Sequence, residues 1–181
     1  MALMKIRVWP DPVLKKKGDK VTVFDEKLRQ LLEDMAETMY ANKGIGLAAQ
    51  QVGITKRVFV CDVPLDDKEG RTTGLLYLVN PEIVAREGKI VFKEGCLSFP
   101  GLEIEVERAS KVLVRFQNED GDEKEIEASG LVAVCFQHEI DHLDGVVFVD
   151  RVGPVKRRLA LKEYQKVLKG EAREHRTNDH V

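Results

Sequence analysis

Gln137-His138-Glu139-Ile140-Asp141-His142 is the stretch on which the reading of this chain turns. It contains the pattern His-Glu-x-x-His. On a helix, residues four apart share a face, so His138 and His142 can present ring nitrogens to one metal ion. Glu139 lies about 60° around the helix from His142, beside such a metal rather than on it. A carboxylate there can take a proton from a water that the metal has made acidic. The spacing predicts a helix from about Gly130 to Leu143. That segment is apolar apart from its motif residues, so the helix should be largely buried. A buried helix needs layers on both sides, and the flanking sequence supplies strands. The expected class is α+β, with antiparallel sheets wrapped around one central helix carrying the metal motif. The competing reading is a five-residue coincidence on a solvated helix, and a third ligand decides between them.

Working outward, Asp25 is an N-cap signal for a helix in which Leu28, Leu31, Leu32, Met35 and Met39 recur at helical spacing, until Gly44 stops the pattern. Lys43 to Gly53 is glycine-punctuated and reads as a loop or tight crossing. Arg57–Val63, Leu75–Val79 (ended by Asn80-Pro81), Lys89–Phe92, Glu103–Val106 and Lys111–Phe116 read as strands. Asp120-Gly121 turns the last of these into Asp122–Ile126 as a hairpin. Asp66 to Thr73 is a polar surface loop. After Asp144-Gly145 a short strand is expected at Val146–Val149. A final helix starts at Pro154 and carries Leu159, Leu161, Tyr164 and Leu168, and the chain after Lys169-Gly170 is polar and expected to fray.

A length of 181 residues fits one domain with a sizeable core. The reading is residues 1–153 as the catalytic body and 154–181 as a helix and polar tail of the same domain. With 43% apolar and 33% charged residues, the composition is that of an ordinary soluble globular protein. Met1–Lys5 lacks the apolar run of a signal peptide, and no stretch is apolar enough to span a bilayer. The three cysteines, Cys61, Cys96 and Cys135, are too few and too odd for a disulfide framework. Together these predict a cytoplasmic protein without membrane contact. The net charge is −2, yet from Pro154 onward eight Lys or Arg face four Asp or Glu. That segment is either a solvated helix or a docking element for an anionic partner.

A catalytic site of this kind needs a third protein ligand and an open position. The continuation His-x-x-Gly-x-x-His fails, because Gly145 fits but Phe148 occupies the last position. A Glu about twenty residues downstream exists as Glu163, on a charged amphipathic helix where an exposed carboxylate is expected. Cys135 shares a face with His138, but the metal would sit about 7 Å further along the axis, so Cys135 reads as an apolar wall residue. Cys96 lies in a glycine-containing bend after a strand, where a thiolate can face the helix.

Three segments taken together resemble the signature motifs of the peptide deformylases: Gly44-Ile45-Gly46-Leu47-Ala48-Ala49-Gln50-Gln51, Glu94-Gly95-Cys96-Leu97-Ser98 and Gln137-His138-Glu139-Ile140-Asp141-His142. They occur in the family's order and at similar spacing, and Pro10-Asp11-Pro12-Val13-Leu14 is similar to its N-terminal segment. The resemblance implies removal of the N-formyl group from the initiator methionine of new polypeptides, with release of formate. It implies Cys96, His138 and His142 as ligands of one divalent metal, ferrous iron in the cell, with zinc, nickel or cobalt as alternatives. Glu139 would be the general acid/base, and Gln51 with the backbone N–H of Leu97 would stabilise the oxyanion. The backbone of Ile45 and Gly46 would hold the substrate peptide, and Leu131, Val134 and Cys135 would line the methionine pocket. Glu94 and Asp141 read as supporting partners, and His175 and His180 as inert. Partners would be the nascent polypeptide N-terminus and, through the helix from Lys156-Arg157-Arg158, the ribosome, with the protein itself a monomer. Two departures stand out: Lys15 follows Val13-Leu14 where the family pattern has arginine, and Glu103 falls in the variable stretch after the cysteine motif. Zinc endopeptidase is the rival enzyme class; it lacks its third-ligand motif. A domain with a structural metal is the rival outside enzymes, but such a site normally has four protein ligands and no adjacent glutamate.

Overall fold

Helix α2 spans Gly130–Leu143, and every residue from Ala133 to Leu143 is buried. The computed structural model describes residues 2–170, so the expectations for the polar tail, His175 and His180 lie outside the described residues. Two more helices, α1 (Glu26–Ala41) and α3 (Pro154–Leu168), accompany seven strands: β1 (Gly46–Ala48), β2 (Val58–Cys61), β3 (Leu76–Glu87), β4 (Ile90–Gly95), β5 (Glu103–Arg108), β6 (Lys111–Gln117) and β7 (Glu123–Ser129). The strands form an antiparallel five-stranded sheet, ordered β1-β2-β3-β6-β7, and a separate β4-β5 ribbon.

The period-2 alternation of β2 explains how the layers stack. Val58 and Val60 pack with Leu28, Leu32, Met35 and Met39 of α1, while Phe59 and Cys61 face Cys135, Phe136 and Ile140 of α2. A third cluster joins Cys96, Phe99, Ile104 and Val106 to Phe148, and to Ala160 and Tyr164 of α3. The large sheet therefore covers one side of α2, and the ribbon with its neighbours covers the other. Asp25 caps α1 by accepting from the Leu28 N–H at 3.1 Å, as its sequence position implies.

Three expectations need correction. Asn80-Pro81 does not end its strand: β3 runs on to Glu87 through a register shift at that point, with Asn80 at φ 50°. The Asn80 side chain accepts from the Val21 N–H and donates to the Val21 carbonyl, both at 2.8 Å, standing in for the missing ladder partner. The stretch read as a loop at Lys43 to Gly53 contains edge strand β1 and a 3-10 turn at Ala49–Val52. The strand expected at Val146–Val149 is replaced by a 3-10 turn at Phe148–Arg151, because the Asp150 carboxylate takes the Val147 N–H at 3.1 Å and curls the chain locally.

Candidate metal centre

His138 and His142 rise from one face of α2, and Cys96 comes from the bend that follows β4. Their ligand atoms all lie within 4.8 Å of one another, and all three residues are buried. The two Nε2 atoms are 3.2 Å apart, and Cys96 Sγ is 3.5 Å from His142 Nε2. Tetrahedral coordination at about 2.0–2.1 Å for nitrogen and about 2.3 Å for sulfur places such atoms roughly 3.3 and 3.6 Å apart. The observed spacing fits a cation at their centre. The protonation pattern fits too. His138 Nδ1 lies 2.8 Å from Glu94 Oε1, so this nitrogen carries the proton and leaves the Nε2 lone pair free. Burial, then the neighbouring His138 and Arg108, push the pKa of His142 well down and keep the ring neutral, as a ligand must be.

The Cys96 thiol shows why such a site wants a cation. Burial, then the carboxylate of Glu139, push its pKa up strongly, while the backbone N–H groups of Ser98 and Phe99 work in the opposite direction. A thiolate here is costly unless positive charge sits against it, and a divalent metal supplies that charge.

Glu139 is fully buried, and neither carboxylate oxygen has a hydrogen-bond partner among the described residues. Burial, then Glu94, raise its pKa well above the usual carboxylate range; Arg108 pulls it back and Asp141 adds to the rise. Gly46 of β1 packs directly against it. A β-carbon there would lie 2.6 Å from Glu139 Oε2 and 2.8 Å from Cys135 Sγ. Any larger residue would therefore displace the Glu139 carboxyl or the Cys135 thiol where β1 approaches α2, a reason for glycine that the sequence pattern alone did not give.

Gln51 sits in the 3-10 turn after β1. Its Oε1 accepts from the Ala48 N–H at 2.9 Å, which turns Nε2 toward Ser98 Oγ (3.2 Å) and Cys96 Sγ (3.7 Å). Leu97 is half-buried beside the cysteine. Ile45 precedes the edge strand, and its carbonyl accepts from the Asp62 N–H at 2.9 Å. Of the three expected pocket residues, Val134 and Cys135 are completely buried. Leu131 is half-buried and lines a cleft of about 650 Å³ with Leu65, Leu76 and Phe136. Glu163 is exposed on α3, away from the three ligands.

The structure adds residues that the sequence reading missed. Arg108 is almost fully buried and grips Glu94 with two bonds of 2.7 and 2.9 Å, while also donating to Asp141 at 2.7 Å. Arg151 holds the far side of Asp141 at 2.9 and 2.6 Å. A continuous chain of charged hydrogen bonds therefore runs from half-exposed Arg151 to the ring of His138. The signal for Arg108 was present. It continues the inward positions of Ile104 and Val106, so period 2 points a charged residue into the core.

The model of the polypeptide deformylase family matches residues 3–158 of this chain. A peptide deformylase of Aquifex aeolicus is 49% identical over 164 residues, covering 91% of this chain and 96% of that one. One from Syntrophobacter fumaroxidans is 47% identical over 169 residues, covering 93% and 98%. Among solved structures, a peptide deformylase from Legionella pneumophila superposes with a TM-score of 0.84 at 42% identity, covering 96% of this chain and 100% of that one. The enzyme from Thermus thermophilus gives 0.84 at 40% identity, covering 94% and 98%.

Proposed function

The chain belongs to the polypeptide deformylase family and is a metal-dependent hydrolase, and from that premise we propose how its residues remove the formyl group from N-formylmethionyl peptides. The observation that carries the reading is the convergence of Cys96, His138 and His142 beside a buried carboxyl, Glu139, with both oxygens unpartnered. Those three residues would hold one divalent cation, which when bound supplies Lewis acidity to the water and to the formyl oxygen.

The rest falls to the protein's own groups. Glu139 takes the proton from the attacking water and delivers it to the leaving amine nitrogen, a task that suits a carboxyl whose pKa is raised by burial. Gln51 Nε2 and the Leu97 N–H donate to the formyl oxygen as negative charge builds on it. An amide stays neutral at any working pH and needs no reorganisation at the moment of reaction. β1 is an outer strand of its sheet, so the backbone of Ile45 and Gly46 can bind an extended peptide alongside it. Leu131, Val134 and Cys135 offer an apolar wall to the flexible methionine thioether.

Ferrous iron is the cellular metal in this reading, with zinc, nickel or cobalt able to fill the site. Zinc binds such donors more tightly than ferrous iron, so metal supply rather than affinity makes the choice. The enzyme acts as a cytoplasmic monomer on nascent chains. Among the described residues no helix is long and apolar enough to cross a membrane. Residues 1–153 perform the chemistry. The 154–181 segment is read as part of the same unit, and its described part supports this: Tyr164 of α3 is buried and its hydroxyl donates to the Trp9 carbonyl at 2.9 Å. Exposed Arg158, Lys162, Lys166 and Lys169 give α3 a basic surface suited to ribosomal RNA. Formate release from formyl-Met-Ala, compared with acetate release from acetyl-Met-Ala, tests the assignment. Rapid turnover of the first alone is expected. Equal turnover of both would overturn the formyl specificity.

A further inference from the structure

Gln51 can serve as an oxyanion donor only if its amide is held in one orientation, and the structure shows what holds it. The oxygen end is fixed by the Ala48 N–H at 2.9 Å. Rotating the amide by 180° would set its NH2 group against that N–H, donor against donor, so the assignment of Oε1 and Nε2 follows from the bonding. At the nitrogen end, one N–H reaches Ser98 Oγ at 3.2 Å, and the other faces Cys96 Sγ at a loose 3.7 Å. Ser98 is itself completely buried, and its backbone is anchored by the Trp9 N–H donating to the Ser98 carbonyl at 2.8 Å. Its hydroxyl oxygen is therefore presented to Gln51 from an anchored, water-excluded stretch of backbone.

We infer that Ser98 is a positioning residue of the reaction: by accepting one Gln51 N–H, its hydroxyl holds the other toward the Cys96 side of the site, where the reacting carbonyl oxygen would take it up in place of the loose contact with Sγ. This rests on the oxyanion reading of Gln51 given above. Without the Ser98 acceptor, the amide has only one fixed end and can swing about its last side-chain torsion. A donor misplaced by even a fraction of an ångström loses much of its worth in the transition state while costing the ground state little. Ser98 touches neither the substrate nor the metal in this account, and its whole effect passes through Gln51.

A double-mutant cycle on the metal-loaded enzyme tests this, with kcat and KM for formyl-Met-Ala measured on wild type, Ser98→Ala, Gln51→Leu and the double variant, and metal content determined for each. Gln51→Leu should cost about a hundredfold in kcat. Ser98→Ala should cost about tenfold, with KM within about twofold and full metal content. The double variant should be no slower than Gln51→Leu, because nothing remains for Ser98 to position. Ser98→Thr, which keeps the hydroxyl, should recover most of the loss. Wild-type kcat in Ser98→Ala, or a Ser98→Ala loss that multiplies in full onto that of Gln51→Leu, would overturn the inference. Wild-type kcat in Gln51→Leu would instead remove the oxyanion reading beneath it.

Discussion

Gly46 and Glu139 face each other so closely that a β-carbon on the glycine would lie 2.6 Å from the carboxylate oxygen Oε2. The edge strand proposed to receive the peptide and the helix that carries Glu139 are thus packed so closely that a side chain at position 46 would have to displace the Glu139 carboxyl or the Cys135 thiol.

Gly46→Ala should therefore disturb the reaction more than the fold. The added methyl displaces the Glu139 carboxyl and the Cys135 thiol, and overpacking of this kind costs about 1–3 kcal/mol. The expected result is a folded protein with normal metal content, a slightly lower melting temperature and kcat reduced by about tenfold or more. Steady-state kinetics beside a thermal melt checks it. Unchanged kcat would show that Glu139 can move without consequence.

Arg108 lies between two buried carboxylates, Glu94 and Asp141. Replacing it with methionine keeps much of the volume but takes from Glu94 its guanidinium partner and leaves Asp141 with Arg151 alone. Removing one partner from a buried ion pair typically costs about 3–5 kcal/mol, so Arg108→Met should be among the most destabilising single changes in the chain. It should also loosen metal binding, because Glu94 orients the His138 ring. Chemical denaturation with metal analysis gives both answers, and a loss under about 1 kcal/mol would mean that water reaches this network freely.

Asp150 ties three segments together: Lys15 near the N-terminus at 2.7 Å, Arg157 of α3 at 3.3 Å, and the Val147 N–H at 3.1 Å. Burial raises its pKa, but the Lys15 hydrogen bond and the other partners outweigh that and hold it below the ordinary 3.8. A carboxylate with a depressed folded-state pKa stabilises above its unfolded value, and that stability is lost as pH falls through the folded value. Asp150→Asn should therefore cost about 1 kcal/mol near neutral pH, with the difference from wild type closing below about pH 4. Melting temperatures of both proteins across pH 3 to 7 decide it. A gap that persists undiminished at pH 3 would assign the effect to packing instead of charge.

What the sequence revealed and what it hid follow from how local each signal is. Helices α1 and α2 were legible with their boundaries, because a capping Asp25 and a run of apolar residues at helical spacing are local properties. The metal ligands could be named because a four-residue spacing leaves one missing partner, and Cys96 was the cysteine with suitable surroundings. Other features depend on residues far apart in the chain. Asn80 ends nothing because Val21 occupies its side chain, and the turn at Phe148–Arg151 forms around Asp150. Arg108 and Arg151 were missed since their carboxylate partners lie on other elements. The methionine wall was named from the resemblance, and the structure leaves Val134 and Cys135 wholly buried with Leu131 nearer the surface.

Glu139 is proposed to carry the proton at a metal held by Cys96, His138 and His142. The most direct test is single-substrate kinetics on Glu139→Gln, with metal content measured on the same sample. The amide keeps the shape and the hydrogen-bonding reach but cannot accept a proton near neutral pH. General acid–base groups contribute about 10²–10⁴ in rate. The predicted result is one metal per chain and kcat for formyl-Met-Ala lowered at least about a hundredfold. Near-wild-type turnover would contradict the assigned role, and loss of the metal would contradict the assignment of Glu139 as a non-ligand.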